Sequence, residues 1–166
     1  EEMRTWFRLV AGVTFALATA AGALAGNGNS PQAFRVLDKH NKLVGYSLSD
    51  NLVARQINGV WVTFYTQSAS GIFDSRAIYV YYLTTDCSGP RYVTHYSNFS
   101  EGTRVGGTLY FATDAQILTP HSTRVISGDG EEGLCGQTPD VEGSYGVAAT
   151  VGVDSLGLEP PFKATQ

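Results

Sequence analysis

Between residues 33 and 163, apolar positions recur with a period of two in short runs, each closed by glycine or a polar turn. The run 60–66, VWVTFYT, shows the pattern plainly. Val60, Val62 and Phe64 project to one side, and Trp61, Thr63 and Tyr65 to the other. Successive side chains of a strand point to opposite faces, so such a run implies one buried side and fixes its register. No stretch carries the period of a helix of useful length.

The runs order themselves into strands. Residues 33–38 and 43–47 flank the small loop Lys39-His40-Asn41-Lys42. Residues 52–57 meet 60–66 across Asn58-Gly59, a pair that supplies the positive φ angles of a type I′ hairpin turn. Further runs follow at 77–85, 91–96, 107–112, 116–119, 123–127 and 144–153. In the last, Tyr145, Val147, Ala149, Val151 and Val153 share a face expected to be buried. Ser144, Gly146, Ala148, Thr150 and Gly152 make the other face small enough for close packing. Turn signals every 8–12 residues or so predict an all-β, single-domain antiparallel sandwich or small barrel of about 8–10 short strands. The domain is expected over residues 33–163, with 164–166 a tail. There is no internal repeat and no linker.

The N-terminus reads differently. Glu1 and Glu2 precede Met3, which is taken as the start; Arg4 and Arg8 give a positive segment, and Leu9–Ala21 is apolar and uncharged. Ala23-Leu24-Ala25 offers a small-x-small cleavage site, so 1–25 is expected to be a signal peptide helix and 26–32 a flexible segment. A retained anchor is the competing reading, but the uncharged run is short for a membrane span. No second long apolar segment occurs, so no helical span is expected after cleavage. Residues 26–166 keep nine Lys/Arg and thirteen Asp/Glu, still net −4, with the basic residues scattered singly. Nucleic acid, which demands clustered cations, is excluded as a partner.

The expected chemistry is sparse. Cys87 and Cys135 are the two cysteines, and in an exported chain an even count predicts a disulfide. Closing a loop of that length stabilises by about 4 kcal/mol in the chain-entropy model. A nucleophilic role lacks a recognisable histidine context among His40, His95 and His121, and no CxxC or HxxxH spacing offers a metal site. No catalytic residue, cofactor or metal is expected. Asp86, Glu101, Asp114 and Asp129 fall in turns, where acids ordinarily cap backbone groups. Ser127–Gly133, SGDGEEG, lacks the ligand alternation of a calcium loop. The aromatic residues are more informative. In 77–85 one face carries Ala77, Tyr79, Tyr81 and Leu83, the other Ile78, Val80 and Tyr82. A central strand covered on both sides is the simpler expectation, since tyrosine packs well in sheets. Alternatively, Trp61, Tyr65, Tyr79 and Tyr81 form an exposed platform for sugars or proteins.

Three segments, FRVLDKHNKLVG (34–45), YLTTDCSGPRYV (82–93) and LGLEPPF (156–162), are similar to those of a loose set of small exported bacterial β-rich proteins. The resemblance implies export, periplasmic or extracellular location, β architecture and the turn placement of Cys87; it carries no settled activity. The expected function is a secreted, non-catalytic β-domain that binds a protein or glycan or builds an extracellular assembly. A small secreted hydrolase using turn acids or His95 and His121 is the first alternative, an eight-stranded outer-membrane barrel the second.

Overall fold

The structure, a computed structural model, describes residues 34–73, 77–96 and 98–165. The expected signal peptide (1–25) and flexible segment (26–32) lie outside the described residues. In chain order the first strands are β1 (Arg35–Leu37), β2 (Leu43–Ser47), β3 (Leu52–Ile57), β4 (Val60–Gln67), β5 (Gly71–Ile72), β6 (Ala77–Tyr82) and β7 (Tyr92–Thr94). There follow β8 (Ser100–Glu101), β9 (Thr103–Val105), β10 (Thr108–Leu118), β11 (Ser122–Ser127), β12 (Gly136–Gln137), β13 (Gly143–Gly152) and β14 (Lys163–Thr165). The all-β expectation holds. The strands outnumber the expected runs because β5, β8, β9, β12 and β14, which no run announces, are only two or three residues long and too brief to show a period.

Two sheets form. The first has the order β14-β1-β2-β3-β4-β5, with β8 also paired to β4; the second runs β12-β11-β6-β7-β13-β10-β9. Every strand pair is antiparallel except β4–β8. The Asn58-Gly59 turn has φ of 50° and 86° and joins Ile57 to its partner Val60, as a two-residue hairpin requires. In β4, Val62 and Phe64 are buried while Trp61 and Tyr65 are exposed, following the alternation.

Three sequence expectations are corrected. Residues 107–112 and 116–119 belong to one strand, β10, whose pairing with β13 shifts between Thr113 and Gln116. Asp114 lies in that bulge at φ 48°, so an aspartate that reads as a break is an irregularity within the strand. The 164–166 tail is also displaced, because β14 pairs antiparallel with β1 at the sheet edge. Finally, the face of β13 expected to be buried is only partly so. Ala149 and Val151 are packed into the core, but Val147 is exposed, and it is Gly146 on the small face that is buried.

The cores explain this division. One fills the space between the sheets, with Val44, Val53, Val62 and Phe64 of the first sheet against Leu109 and Phe111 of β10. The other is built from the second sheet alone: Val80 and Tyr82, Val93, Val105, Ala112 and Ile126, with Cys87. Val105 and Ile126 come from near opposite ends of that sheet, so it curls into a half-barrel around them. Each valine, leucine, isoleucine or phenylalanine among them contributes roughly 1.5–3 kcal/mol when fully buried. Residues 100–105 cross between the sheets, pairing with β4 through β8 and with β10 through β9. Gly102 makes the crossing: a Cβ there would stand 2.7 Å from Val62 Cγ1 and 3.1 Å from Thr63 O.

Candidate functional site

The cysteines answer first. Cys87 and Cys135 are bonded, with Cα atoms 5.8 Å apart and a sequence separation of 48. The crosslink ties the turn after β6 to the segment leading into β12. Hydrogen bonds surround it. The Cys87 N–H donates to Ser122 Oγ (3.1 Å), the Ser122 hydroxyl to Thr84 O (2.6 Å), and Gln137 Nε2 to Thr85 O (2.7 Å). A disulfide in this position fits an oxidising compartment. No helix among the described residues is long and apolar enough to cross a membrane.

Three of the four candidate aromatic residues are exposed, but the four do not form a single platform. Trp61 is 41% exposed, Tyr65 47% and Tyr79 57%, while Tyr81 is partly buried. Covering of the 77–85 strand on both sides is therefore corrected. The register gives the reason. Tyr81 pairs with Tyr92, Tyr92 with Val147, and Val147 with Thr113, so all lie on the face that Phe111 and Ala149 present to the first sheet. The first sheet covers that face at β10 and β13 and leaves the β6–β7 part uncovered. Its tyrosines stand together: Tyr81 and Tyr145 have ring centroids 4.9 Å apart, and Tyr79 and Tyr96 lie close enough to influence Tyr81 electrostatically. Burial, and then these neighbours, pushes the Tyr81 hydroxyl above its ordinary pKa, so the phenol stays a neutral donor. A cleft of about 200 Å³ opens beside them, lined by Tyr79, Tyr81, Tyr96, Val93, Glu101 and Thr103. Glu101 and Thr103 also line a second cleft with Tyr65 and Phe73, so the two aromatic regions adjoin.

Trp61 belongs to a different row, on the outer face of the first sheet. Its centroid is 6.2 Å from Tyr46 and 6.4 Å from Phe99, with ring planes inclined by 54° and 86°. The parallel pairing of Val62 with Ser100 sets Phe99 beside Trp61. Neither Tyr46 nor Phe99 is identified from sequence. Tyr46 carries a weak signal as the bulky outward residue of 43–47; Phe99 carries none, since it precedes a strand of only two residues. Next to Tyr46 and Trp61 lies an open groove of about 500 Å³, also walled by Lys42, Arg55 and Gln56.

The hairpin that carries Lys42 is fixed by Asp38, whose side chain is buried. Its carboxylate accepts the N–H groups of His40 and Lys42 (both 2.8 Å) and of Glu159 (3.3 Å). Burial opposes ionisation there, but the backbone donors outweigh it and hold the carboxyl below its ordinary value. The same bonds bring 156–162 against 34–45, with Lys39 Nζ 2.5 Å from Glu159 Oε2 and Phe162 in the core.

Two further aspartates serve turns. Asp86 accepts the Ser88 hydroxyl (2.6 Å) and N–H (3.2 Å), and Asp129 accepts the Ser127 hydroxyl and the Glu131 N–H. In each case the serine hydroxyl is the foremost cause of a lowered pKa. His121 Nδ1 lies 2.7 Å from Asp140 Oδ1, both side chains exposed, and neither lines the grooves described above. No protein-family model matches the chain, and no curated protein or solved structure matches it.

Proposed function

We propose that this chain is an exported, non-catalytic β-domain that binds a partner outside the cytoplasm through its exposed aromatic residues, as a binding or structural module at the cell surface or in an extracellular assembly. One observation carries the reading: large rings on regular strands, Trp61, Tyr65 and Tyr79, are exposed to solvent. Clustered exposed aromatic surface of this kind marks binding sites. The disulfide and the apolar, uncharged run Leu9–Ala21 support export. Among the described residues the sheets end at β14, β12 and β9 without a further strand, which favours a sandwich over a closed membrane-spanning barrel, whose strands must all be paired.

The test is a glycan array and an extracellular-protein binding screen, run with the parent protein and with Trp61→Ala and Tyr65→Ala. Binding that is lost on substitution, at unchanged melting temperature, supports the reading. Binding that survives both substitutions, or no binding at high protein concentration, rejects it.

A further inference from the structure

The groove beside Trp61 carries a charge opposite to that of the whole molecule. The protein is net −4, yet the described walls of this groove hold two cations, Lys42 and Arg55, and no carboxylate. Among the described residues neither cation has an ion pair; the recorded pairs use Lys39, Arg91, Arg124 and two histidines. Both are nevertheless held in place. Lys42 Nζ donates to Leu156 O (2.7 Å) and Gly157 O (3.0 Å). Arg55 Nη1 donates to Leu43 O (2.8 Å) and Val44 O (3.2 Å). Carbonyl oxygens orient these groups without cancelling their charge, and side chains already ordered lose less entropy on binding.

We propose that this groove binds an anionic polysaccharide, with sugar rings against Tyr46 and Trp61 and carboxylate or sulfate substituents at Arg55 and Lys42. This rests on the reading of the aromatic face as a binding surface and names its ligand. A pyranose ring has an apolar C–H face that suits an aromatic ring and a hydroxyl rim that suits an amide such as Gln56. The guanidinium fork matches a carboxylate or sulfate in a way a point charge does not. The 54° inclination of Tyr46 to Trp61 fits successive sugars rotated relative to one another, not a flat crystalline surface. Nucleic acid is a poorer fit, because a phosphate at every nucleotide needs more than two cations on a net acidic chain.

The experiment is calorimetric titration of the disulfide-bonded protein with oligogalacturonate, sulfated dextran, neutral dextran and polyglutamate. At least one anionic sugar should bind about tenfold or more tightly than neutral dextran, and the carboxylated and sulfated arms identify the substituent. Lys42→Gln/Arg55→Gln, which keeps donors while removing charge, should erase that preference. The single Lys42→Gln variant and a rise to about 300 mM salt on the parent protein should each reduce it, which keeps the test valid if the double variant does not fold. Equal binding of charged and neutral sugars, unaffected by these changes but lost in Trp61→Ala, overturns the anionic assignment and leaves the aromatic reading standing. Sugar binding indifferent to Trp61→Ala, or no sugar binding at all, overturns the proposal. Polyglutamate binding as tightly as oligogalacturonate overturns the sugar assignment.

Discussion

Removing the Cys87–Cys135 crosslink by the double substitution Cys87→Ala/Cys135→Ala should cost stability without loss of the fold. The bond closes a loop of 48 residues' separation. Restricting the unfolded chain over that length is worth about 4 kcal/mol in the chain-entropy model. With an unfolding entropy of about 2.1 cal/mol/K per residue over roughly 130 residues, this lowers the melting temperature by about 15 °C. The loss is a large part of the roughly 5–15 kcal/mol that stabilises an ordinary domain. The fold should survive because Ser122, Thr84 and Gln137 still bridge the same segments by hydrogen bonds. Thermal unfolding followed by circular dichroism should give coincident curves for the double variant and for the parent protein in reductant. A double variant melting within about 3 °C of the oxidised parent would refute the reasoning, because the loop constraint would then contribute almost nothing.

Other consequences follow from packing and charge. Phe111→Ala, at a fully buried ring in the core between the sheets, should cost about 3–5 kcal/mol in denaturant unfolding. Tyr79→Ala, on the uncovered part of the same face, should fall within about 0.5 kcal/mol of the parent; a large loss there would show that something covers it. Gly102→Ala should destabilise by about 1–3 kcal/mol through the clash with Val62 and Thr63, and a neutral result would contradict the tight crossing between sheets. The lowered pKa of Asp38 gives stability present above the ordinary carboxylate value and lost as pH falls through the lower folded value. Asp38→Asn should therefore melt lower than the parent at neutral pH and lose less on acidification, as seen by melting temperature against pH. Parallel pH curves would reject that role.

How far the sequence discloses this structure depends on the length over which a pattern can repeat. Residues 43–47 and 52–57 coincide with β2 and β3, and Asn58-Gly59 marks its hairpin, because alternation and turn chemistry are local. Strands of two residues, such as β8, have no period to detect and exist only because β4 offers a partner. Asp114 reads as a terminator because bulge and turn use the same backbone region. The exposure of Tyr79 is hidden for a different reason. A bulky residue in alternation shows the same pattern whether or not another sheet reaches over it, and where the first sheet stops is a property of the whole fold. The candidate groove is likewise assembled from β2, β3, β4 and the loop before β2: register sets Gln56 beside Trp61, while Arg55, whose strand partner is the buried Val62, lines the groove with its guanidinium bonded to the Leu43 and Val44 carbonyls, which no local pattern announces.

Trp61 provides the most direct measurement of the central claim that the aromatic outer face is where this protein binds. With Trp6 replaced by phenylalanine, all tryptophan emission comes from residue 61, and acrylamide quenching reports its access to solvent. Saturation with the ligand identified by titration should shift that emission to the blue and sharply reduce quenching. A ligand that binds while leaving the quenching of Trp61 unchanged would place the contact elsewhere and contradict the account.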